Sequence, residues 1–319
     1  MACFLVTGGA GFIGSHLVPA LLDEGHTIRV LDDLSSGHRK NVPQRVELIE
    51  ADVTDPLAVE SALDGVDGCF HLAAIASVAR SHLDWLRTHQ VNLTGTINVF
   101  DQARPSRRHR EIPVVYASTA AIYGNCGSFP VDEESSAAPL SAYGADKHAC
   151  ELHARVAGAI HGVPTVGLRF FNLYGPRQDQ LSPYSGVISI FADRLLRGDA
   201  LEIFGDGEQA RDFAFIKRCR LCAAPRYAGS KHQRFRVQCL YRESDKRAVS
   251  CTDHGGGVRN RTRRASSSGA LQPGADLDRR SPTRFRTARL YCANHALRGS
   301  RNNAQLLETY GWVGKRVPT

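Results

Sequence analysis

Short apolar runs alternate with amphipathic stretches from the start of the chain to about residue 171. The apolar runs predict buried strands at residues 4–7, 28–31, 46–50, 68–72, 113–117 and 165–169. Apolar positions at helical spacing predict helices at 12–24, 56–63, 83–102 and 142–161. This alternation indicates an α/β fold with a doubly wound parallel sheet, which has helices on both faces.

Three glycines separate the first predicted strand from the first predicted helix. Gly8, Gly11 and Gly14 follow one another at intervals of three, and Phe12 and Ile13 lie between the last two. Glycines let the backbone turn sharply and approach a pyrophosphate, which then faces the amino terminus of the helix. We therefore predict a dinucleotide-binding turn at this position.

Acidic residues follow the next two predicted strands. Asp32 stands 18 residues after Gly14, where a carboxylate can accept hydrogen bonds from the ribose hydroxyls of a dinucleotide. Asp32 and Asp33 together would repel a 2′-phosphate, so the sequence favours NAD over NADP. Asp52 and Val53 follow the third predicted strand, and we expect them to meet the adenine.

Two further groups of residues are expected at the cofactor. Leu72, Ala73 and Ala74 follow the fourth predicted strand, and the small side chains there let the chain approach a ligand closely. Asn92 stands in the middle of the predicted helix 83–102, where a polar side chain that faces the sheet needs a buried partner.

Tyr143 and Lys147 are four residues apart on a predicted helix, so they share one helical face. We expect the positive charge of Lys147 to lower the pKa of the phenol from its ordinary value of about 10 and to prepare Tyr143 as a base. Ser118 and Thr119 leave the fifth predicted strand at its carboxyl end. Ligands of open α/β sheets lie at that edge, so both hydroxyls are expected in the same crevice as Tyr143.

Charge divides the chain after residue 216. Residues 1–216 carry 17 Lys and Arg against 26 Asp and Glu, a net charge of −9. Residues 217–319 carry 23 against 6, a net charge of +17, and contain no isoleucine but five of the nine cysteines. The overall charge of +8 therefore hides a change in the character of the sequence.

From the composition we expect a cytoplasmic protein. A hydrophobic content of 42% fits a soluble protein, and neither a signal peptide nor an apolar run long enough to cross a membrane is present. Nine cysteines in such a protein are best interpreted as free thiols.

The motifs resemble, in their order, those of the extended short-chain dehydrogenase/reductase family. Within it they are most similar to the NAD-dependent epimerases that act at C4 of UDP-glucose and UDP-N-acetylglucosamine. The resemblance covers residues 1–216 and is carried by TGGAGFIGSHL, LDDLSSG, HLAA, QVNLTGT, STAAIYG, YGADK, RFFNLYGPRQ and GDGEQARDF. It implies an NAD-binding Rossmann domain at 1–171 and a smaller substrate domain that begins at 172–216.

The resemblance also implies roles for individual residues. The catalytic residues would be Tyr143 as the base, Lys147 bound to the nicotinamide ribose, and Thr119 hydrogen-bonded to the 4-hydroxyl of the sugar. Ser118 would lie beside Thr119 and contact the cofactor. Contacts to a UDP-sugar would come from Ser77, Thr119, Asn172 and Arg211. A homodimer would form through the helices predicted at 83–102 and 142–161.

A nucleotide-sugar 4,6-dehydratase is the main alternative within the family. Dehydratases carry Asp-Glu directly after the hydroxyl residue, whereas this chain carries Ala120 and Ala121. Without carboxylates to eliminate water, the sequence favours epimerisation, with a catalytically silent NAD-binding protein as a further alternative.

The resemblance ends after Ile216, and three interpretations of residues 217–319 remain. Cys219 and Cys222 could bind zinc with Cys239 and Cys251, but those last two are 12 residues apart rather than closely paired. A basic tail could bind nucleic acid, but few aromatic residues are present to stack on bases. We favour translation in the wrong frame, which would leave this segment poorly ordered and the substrate domain disrupted.

Codon choice supports the favoured interpretation. Residues 235–244, read one base later, can give Phe-Glu-Phe-Asn-Val-Cys-Thr-Gly-Lys, a strand and turn like those of the family. Residues 217–223 can give Ser-Asp-Val-Val-Cys-Ala, and residues 286–301 can give a segment similar to the end of family members. A shift of one base thus gives three segments similar to those of the family, in the family's order.

Overall fold

The computed structural model describes residues 1–106, 110–125, 131–179, 186–203, 211–218 and 235–239. Its strands are β1 (Cys3–Thr7), β2 (Thr27–Asp32), β3 (Glu47–Glu50), β4 (Gly68–His71), β5 (Val114–Thr119), β6 (Thr165–Phe170), β7 (Asn172–Tyr174), β8 (Phe213–Phe215) and β9 (Phe235–Cys239). Seven of them form one parallel sheet in the order β3-β2-β1-β4-β5-β6-β9, and β7 pairs with β8. The predicted doubly wound parallel sheet is confirmed.

Helices lie between the strands along the chain, and the last of them belongs to the segment between β7 and β8. They are α1 (Gly14–Asp23), α2 (Pro56–Leu63), α3 (Val78–Leu83), α4 (Trp85–His89), α5 (Gly95–Gln102), α6 (Ala142–His161) and α7 (Val187–Arg197). The start of α6 is fixed by Ser141, whose hydroxyl accepts a hydrogen bond from the Gly144 N–H, and its end by Gly162 in a left-handed conformation. Among the residues described, no helix is both long and apolar enough to cross a membrane.

The helix predicted at 83–102 is present from Trp85 to Gln102, two residues shorter at its start because α3 ends at Leu83. The prediction missed one feature of it, a π-helical turn at Gln90–Thr94 between α4 and α5. The Asn92 side chain lies within this turn and is fully buried. It hydrogen-bonds both backbone groups of Ile75, at 2.8 and 3.2 Å, and so links the turn to the loop after β4.

The described chain divides into two compact units. The first contains Met1–Phe171 together with the described residues from Ile216 onward, and the second contains Asn172–Phe215. The core of the first unit lies between the sheet and α2, α5 and α6, with Leu5, Val99, Val114 and Cys150 fully buried. The predicted domain limits at residues 171 and 216 stay predictions.

Candidate active site

The three glycines form a tight turn between β1 and α1. Gly8 has a φ of +69°, and a Cβ added there would lie 2.6 Å from the Ala73 nitrogen. A Cβ on Gly14 would lie 2.4 Å from the Gly8 carbonyl oxygen, so any side chain would push the helix off its turn. Gly11 donates its N–H to the Gly8 carbonyl, and Phe12 and Ile13 are half-buried beside it.

Asp32 joins the end of β2 to this turn. Its carboxylate accepts hydrogen bonds from the Ala10 and Leu34 N–H groups, both at 2.9 Å. Burial raises the pKa of Asp32, and the two backbone hydrogen bonds oppose that rise. Asp33 is exposed, and its carboxylate accepts hydrogen bonds from the backbone and the hydroxyl of Ser35. The structure therefore brings Asp32, but not the Asp33 carboxylate, into contact with the glycine turn.

Asp52 and Val53 lie at the end of β3. The Asp52 carboxylate forms a 2.5 Å ion pair with Arg87 of α4 and accepts a hydrogen bond from the Thr54 N–H. Burial would raise the pKa of Asp52, but the bonds to Arg87 and Thr54 outweigh it and lower that pKa. Val53 is buried against Gly95 of α5.

The loop after β4 is held against the glycine turn. Leu72 donates its N–H to the Thr7 carbonyl, and Ala73 donates to the Thr7 hydroxyl at 3.2 Å. Leu72, Ala73 and Ala74 are half-buried in this loop, and their contact with the cofactor stays a prediction. Below them, His71 lies between the hydroxyls of Thr7 and Thr96, at 2.8 and 2.9 Å. Burial, followed by the charge of Lys147, lowers the pKa of His71 to about 3, so this imidazole stays neutral.

Thr119 and Tyr143 meet at the carboxyl end of β5. The Thr119 side chain lies close enough to the Tyr143 phenol to lower its pKa, and the Thr119 hydroxyl accepts the Ala121 N–H at 3.1 Å. Tyr143 lies in the first turn of α6, where its N–H donates to the Ser81 hydroxyl. Lys147 stands one turn further along α6 and is 1% exposed. The structure thus brings together the three predicted catalytic residues.

The electrostatics of this trio differ from the sequence expectation. Burial raises the pKa of Tyr143 to about 12, and the Thr119 side chain opposes that rise. The expected lowering of the Tyr143 pKa by Lys147 is not found. Burial desolvates Lys147 as well and lowers the pKa of its ammonium. The spacing of Tyr143 and Lys147 in the sequence does not show how deeply either side chain is buried.

Ser118 is turned away from this trio. It is 1% exposed, and its hydroxyl donates a 2.5 Å hydrogen bond to Glu151 of α6. Glu151 in turn forms a two-point ion pair with Arg169 of β6, at 2.9 and 2.8 Å. Sequence reasoning missed both charged residues, although Glu151 follows Tyr143 and Lys147 at successive intervals of four. The cofactor role of Ser118 stays a prediction.

The predicted substrate residues lie in different places. Ser77 accepts the Arg80 N–H at 3.1 Å and so caps α3. Asn172 and Arg211 belong to the second unit, where the Asn172 side chain donates to the Asp212 carbonyl at 2.9 Å and Arg211 is exposed. Their roles toward a substrate stay predictions.

The alternative zinc site cannot be located, because Cys219, Cys222 and Cys251 lie outside the described residues. The same holds for nearly all of the basic segment 217–319. Within the described ranges, no group of three or more His, Cys, Asp or Glu side chains is arranged to hold a metal ion.

Comparison with known proteins shows which family has this geometry. The family model described as "NAD dependent epimerase/dehydratase family" matches residues 4–219. The chain belongs to this family. Its cofactor is therefore NAD, and the residues present fit that group: the glycine turn leaves no room for side chains, and the Asp32 carboxylate lies beside it.

Individual members of the family extend the comparison. The chain is 37% identical over 214 residues to a putative UDP-glucose 4-epimerase of Methanocaldococcus jannaschii, a match that covers 66% of this chain and 69% of that protein. The UDP-glucose 4-epimerase structure of Thermotoga maritima is 35% identical with a TM-score of 0.69, covering 75% of this chain and 76% of that one. A dTDP-glucose 4,6-dehydratase of Streptomyces venezuelae, solved with NAD, is 30% identical with a TM-score of 0.67, covering 75% of each chain.

The contact between Thr119 and Tyr143 predicts a pH effect. Thr119→Val removes a hydroxyl that lowers the pKa of the phenol, so that pKa rises. A reaction that needs deprotonated Tyr143 gains rate as pH rises through this pKa, so the rising limb of the pH profile should move to higher pH. The shift of this limb is measured from profiles of kcat/KM against pH for Thr119→Val and the unmodified protein.

Thr27→Val is the control. Thr27 is the exposed first residue of β2, so it lies at the amino end of its strand, whereas Thr119 lies at the carboxyl end of β5. Its pH profile should match that of the unmodified protein. A Thr119→Val profile whose limb stays in place, or moves to lower pH, would contradict the assignment.

Proposed function

We propose that the protein is an NAD-dependent epimerase that inverts C4 of a UDP-hexose, such as UDP-glucose or its N-acetyl form. The observation that carries the proposal is the contact between Thr119 and Tyr143, with Lys147 buried one turn away. Ala120 and Ala121 directly follow Thr119, at the place where a dehydratase carries an acid and a second base. This supports epimerisation over dehydration.

Tyr143 acts as the proton acceptor in this proposal. It takes the proton of the C4 hydroxyl and later returns it to the same oxygen on a sugar of opposite configuration. Thr119 holds the phenol and the hydroxyl in one line, and the 4-keto sugar turns over between the two halves of the reaction. NAD bound at the glycine turn would supply the acceptor and the donor of the C4 hydride, with no net change in the cofactor over a full cycle. Lys147 would bind the nicotinamide ribose of this cofactor.

Asn172 and Arg211 hold the nucleotide diphosphate in the proposal. A guanidinium presents its donors in a fork that matches phosphate oxygens, which suits Arg211 for this role. Ser77 contacts the hexose of the UDP-sugar in this proposal. A silent NAD-binding protein is the alternative, and no feature of the described residues favours it over catalysis.

We also propose that residues 217–319 are read out of frame. The family match ends at residue 219, close to the change in charge and composition after Ile216. The match to the M. jannaschii protein likewise covers only 66% of this chain. Sequencing the gene around the Ile216 codon should reveal a missing or additional base. An intact frame there would leave the basic segment as a genuine part of the protein.

A homodimer formed through α6 is a further proposal. Leu152, Val156 and Ile160 follow one another at intervals of four and are 48%, 48% and 73% exposed, an apolar stripe on one side of the helix. Val156→Glu should therefore give a monomer in analytical sedimentation. Leu57→Glu, at an apolar position of α2 that is 72% exposed, should leave a dimer. A Val156→Glu protein that sediments as a dimer would remove α6 from the interface.

The proposed activity is tested by incubating the frame-restored enzyme with UDP-glucose and UDP-N-acetylglucosamine. Formation of the C4 epimer is expected, and Tyr143→Phe should reduce turnover by about two to four powers of ten while NAD stays bound. The loss corresponds to roughly 3–5 kcal/mol of activation free energy.

Tyr116→Phe is the matched control for that substitution. The Tyr116 hydroxyl is buried and has no hydrogen-bond partner among the described residues, so its removal should leave turnover unchanged. Retained turnover in Tyr143→Phe would mean that another group is the base. Failure of the unmodified enzyme on both sugars would remove the proposed substrates.

A further inference from the structure

A buried ion pair lies directly behind the Thr119 and Tyr143 contact. Glu151 and Arg169 are 5% and 7% exposed, and their side chains meet through two hydrogen bonds of 2.9 and 2.8 Å. Among the described residues, neither Glu151 nor Arg169 hydrogen-bonds Thr119, Tyr143 or Lys147. The pair does hydrogen-bond Ser118, directly before Thr119, and Tyr123 and Glu133 between Thr119 and Tyr143. These bonds indicate that it holds the chain around the two residues.

Strand register places Arg169 next to Ser118. The two residues are partners in the parallel pairing of β5 with β6, and Thr119 is paired with Phe170 one position further on. The side chains of Ser118 and Arg169 both reach Glu151 of α6. One carboxylate thus ties the ends of two strands to the helix that carries Tyr143.

The guanidinium also holds the connection between β5 and α6. Its Nη1 donates to the Tyr123 hydroxyl and to the Glu133 carbonyl, both at 2.8 Å. The Tyr123 hydroxyl in turn donates a hydrogen bond to the Asp132 carbonyl at 2.7 Å. Arg169 makes four hydrogen bonds in all, of the five that a guanidinium can donate. Lysine could not reproduce this arrangement, since its single ammonium group lacks the planar fork.

We propose that Glu151 and Arg169 are positioning residues: through Ser118 they hold the end of β5 so that the Thr119 hydroxyl stays against the Tyr143 phenol. The proposal rests on the proposed function only in taking Tyr143 as the base. It explains why charge is buried here, because a hydrophobic pair of similar volume is often equally or more stabilising than a buried ion pair. Fixed geometry, rather than stability, is what the ion pair adds.

The test compares Arg169→Lys with Arg29→Lys. Arg29 is a matched control: it also pairs with a glutamate, Glu47 at 2.8 Å, and donates to two carbonyls, those of Ala62 and Asp64. It lies on β2, beside the first residue of β3 and far along the sheet from Thr119. Both variants lose a guanidinium fork, but only one of the two lies behind the site.

Two readouts separate positioning from stability. The first is the NMR signal of the 13C-labelled Tyr143 ring, assigned by its loss in Tyr143→Phe. The second is the division of any activity loss between kcat and KM for the UDP-sugar. Arg169→Lys should shift the Tyr143 signal and lower kcat by about 10- to 100-fold with a smaller change in KM. Arg29→Lys should change neither, whatever it does to the unfolding midpoint.

Two further variants keep the proposal testable if Arg169→Lys does not fold. Ser118→Ala leaves the ion pair but cuts the link through which it holds the end of β5, so this variant should also shift the Tyr143 signal and lower kcat. Glu151→Leu combined with Arg169→Met removes the buried charge and should give a folded but slow enzyme. Folded variants with an unchanged Tyr143 signal and unchanged kcat would overturn the proposal. If the unmodified enzyme turns over no UDP-sugar, the proposed function fails, while the NMR comparison still decides the positioning role.

Discussion

Charge buried at the carboxyl edge of the sheet is the constraint on which the rest of the site depends. Asp32, Lys147, Glu151 and Arg169 are all less than a tenth exposed. Burial removes several kcal/mol of hydration from each ion, so a stable fold must offer partners at fixed distances. Those partners come from different elements: Asp32 binds the backbone of two loops, and Glu151 binds groups on β5 and β6. Satisfying the charges therefore fixes the ends of the strands relative to one another.

Much of the fold could be predicted because its signals are local. A strand buried on both faces requires a continuous apolar run, and each of the six predicted strands appears within a few residues of its expected place. The bounds of α2 and α6 also follow from the chain itself, because Pro56 and Ser141 begin these helices and Gly162 ends the second. The glycine turn is equally local, since Gly8 and Gly14 have no space for a side chain.

The parts that escaped prediction depend on contacts between distant residues. Glu151 reaches Ser118 and Arg169, which are 33 and 18 positions away, and no periodicity in the sequence records that meeting. The pKa of Tyr143 follows from desolvation, which depends on everything packed around the phenol rather than on the position of Lys147. The sequence predicts that Asn92 needs a buried partner, but it does not indicate that the partner is the backbone of Ile75, 17 positions away.

The π-helical turn at Gln90–Thr94 sets the rotational phase between α4 and α5. Successive residues of an α-helix are offset by about 100°, so a turn with one extra residue rotates the preceding helix relative to the following one. This offset lets Arg87 and His89 face Asp52 and Asp146 while Thr96 faces His71. A single-residue deletion within the turn would bring both helices into one phase, and α4 could then no longer reach both carboxylates. The length of this short segment is therefore constrained independently of its composition.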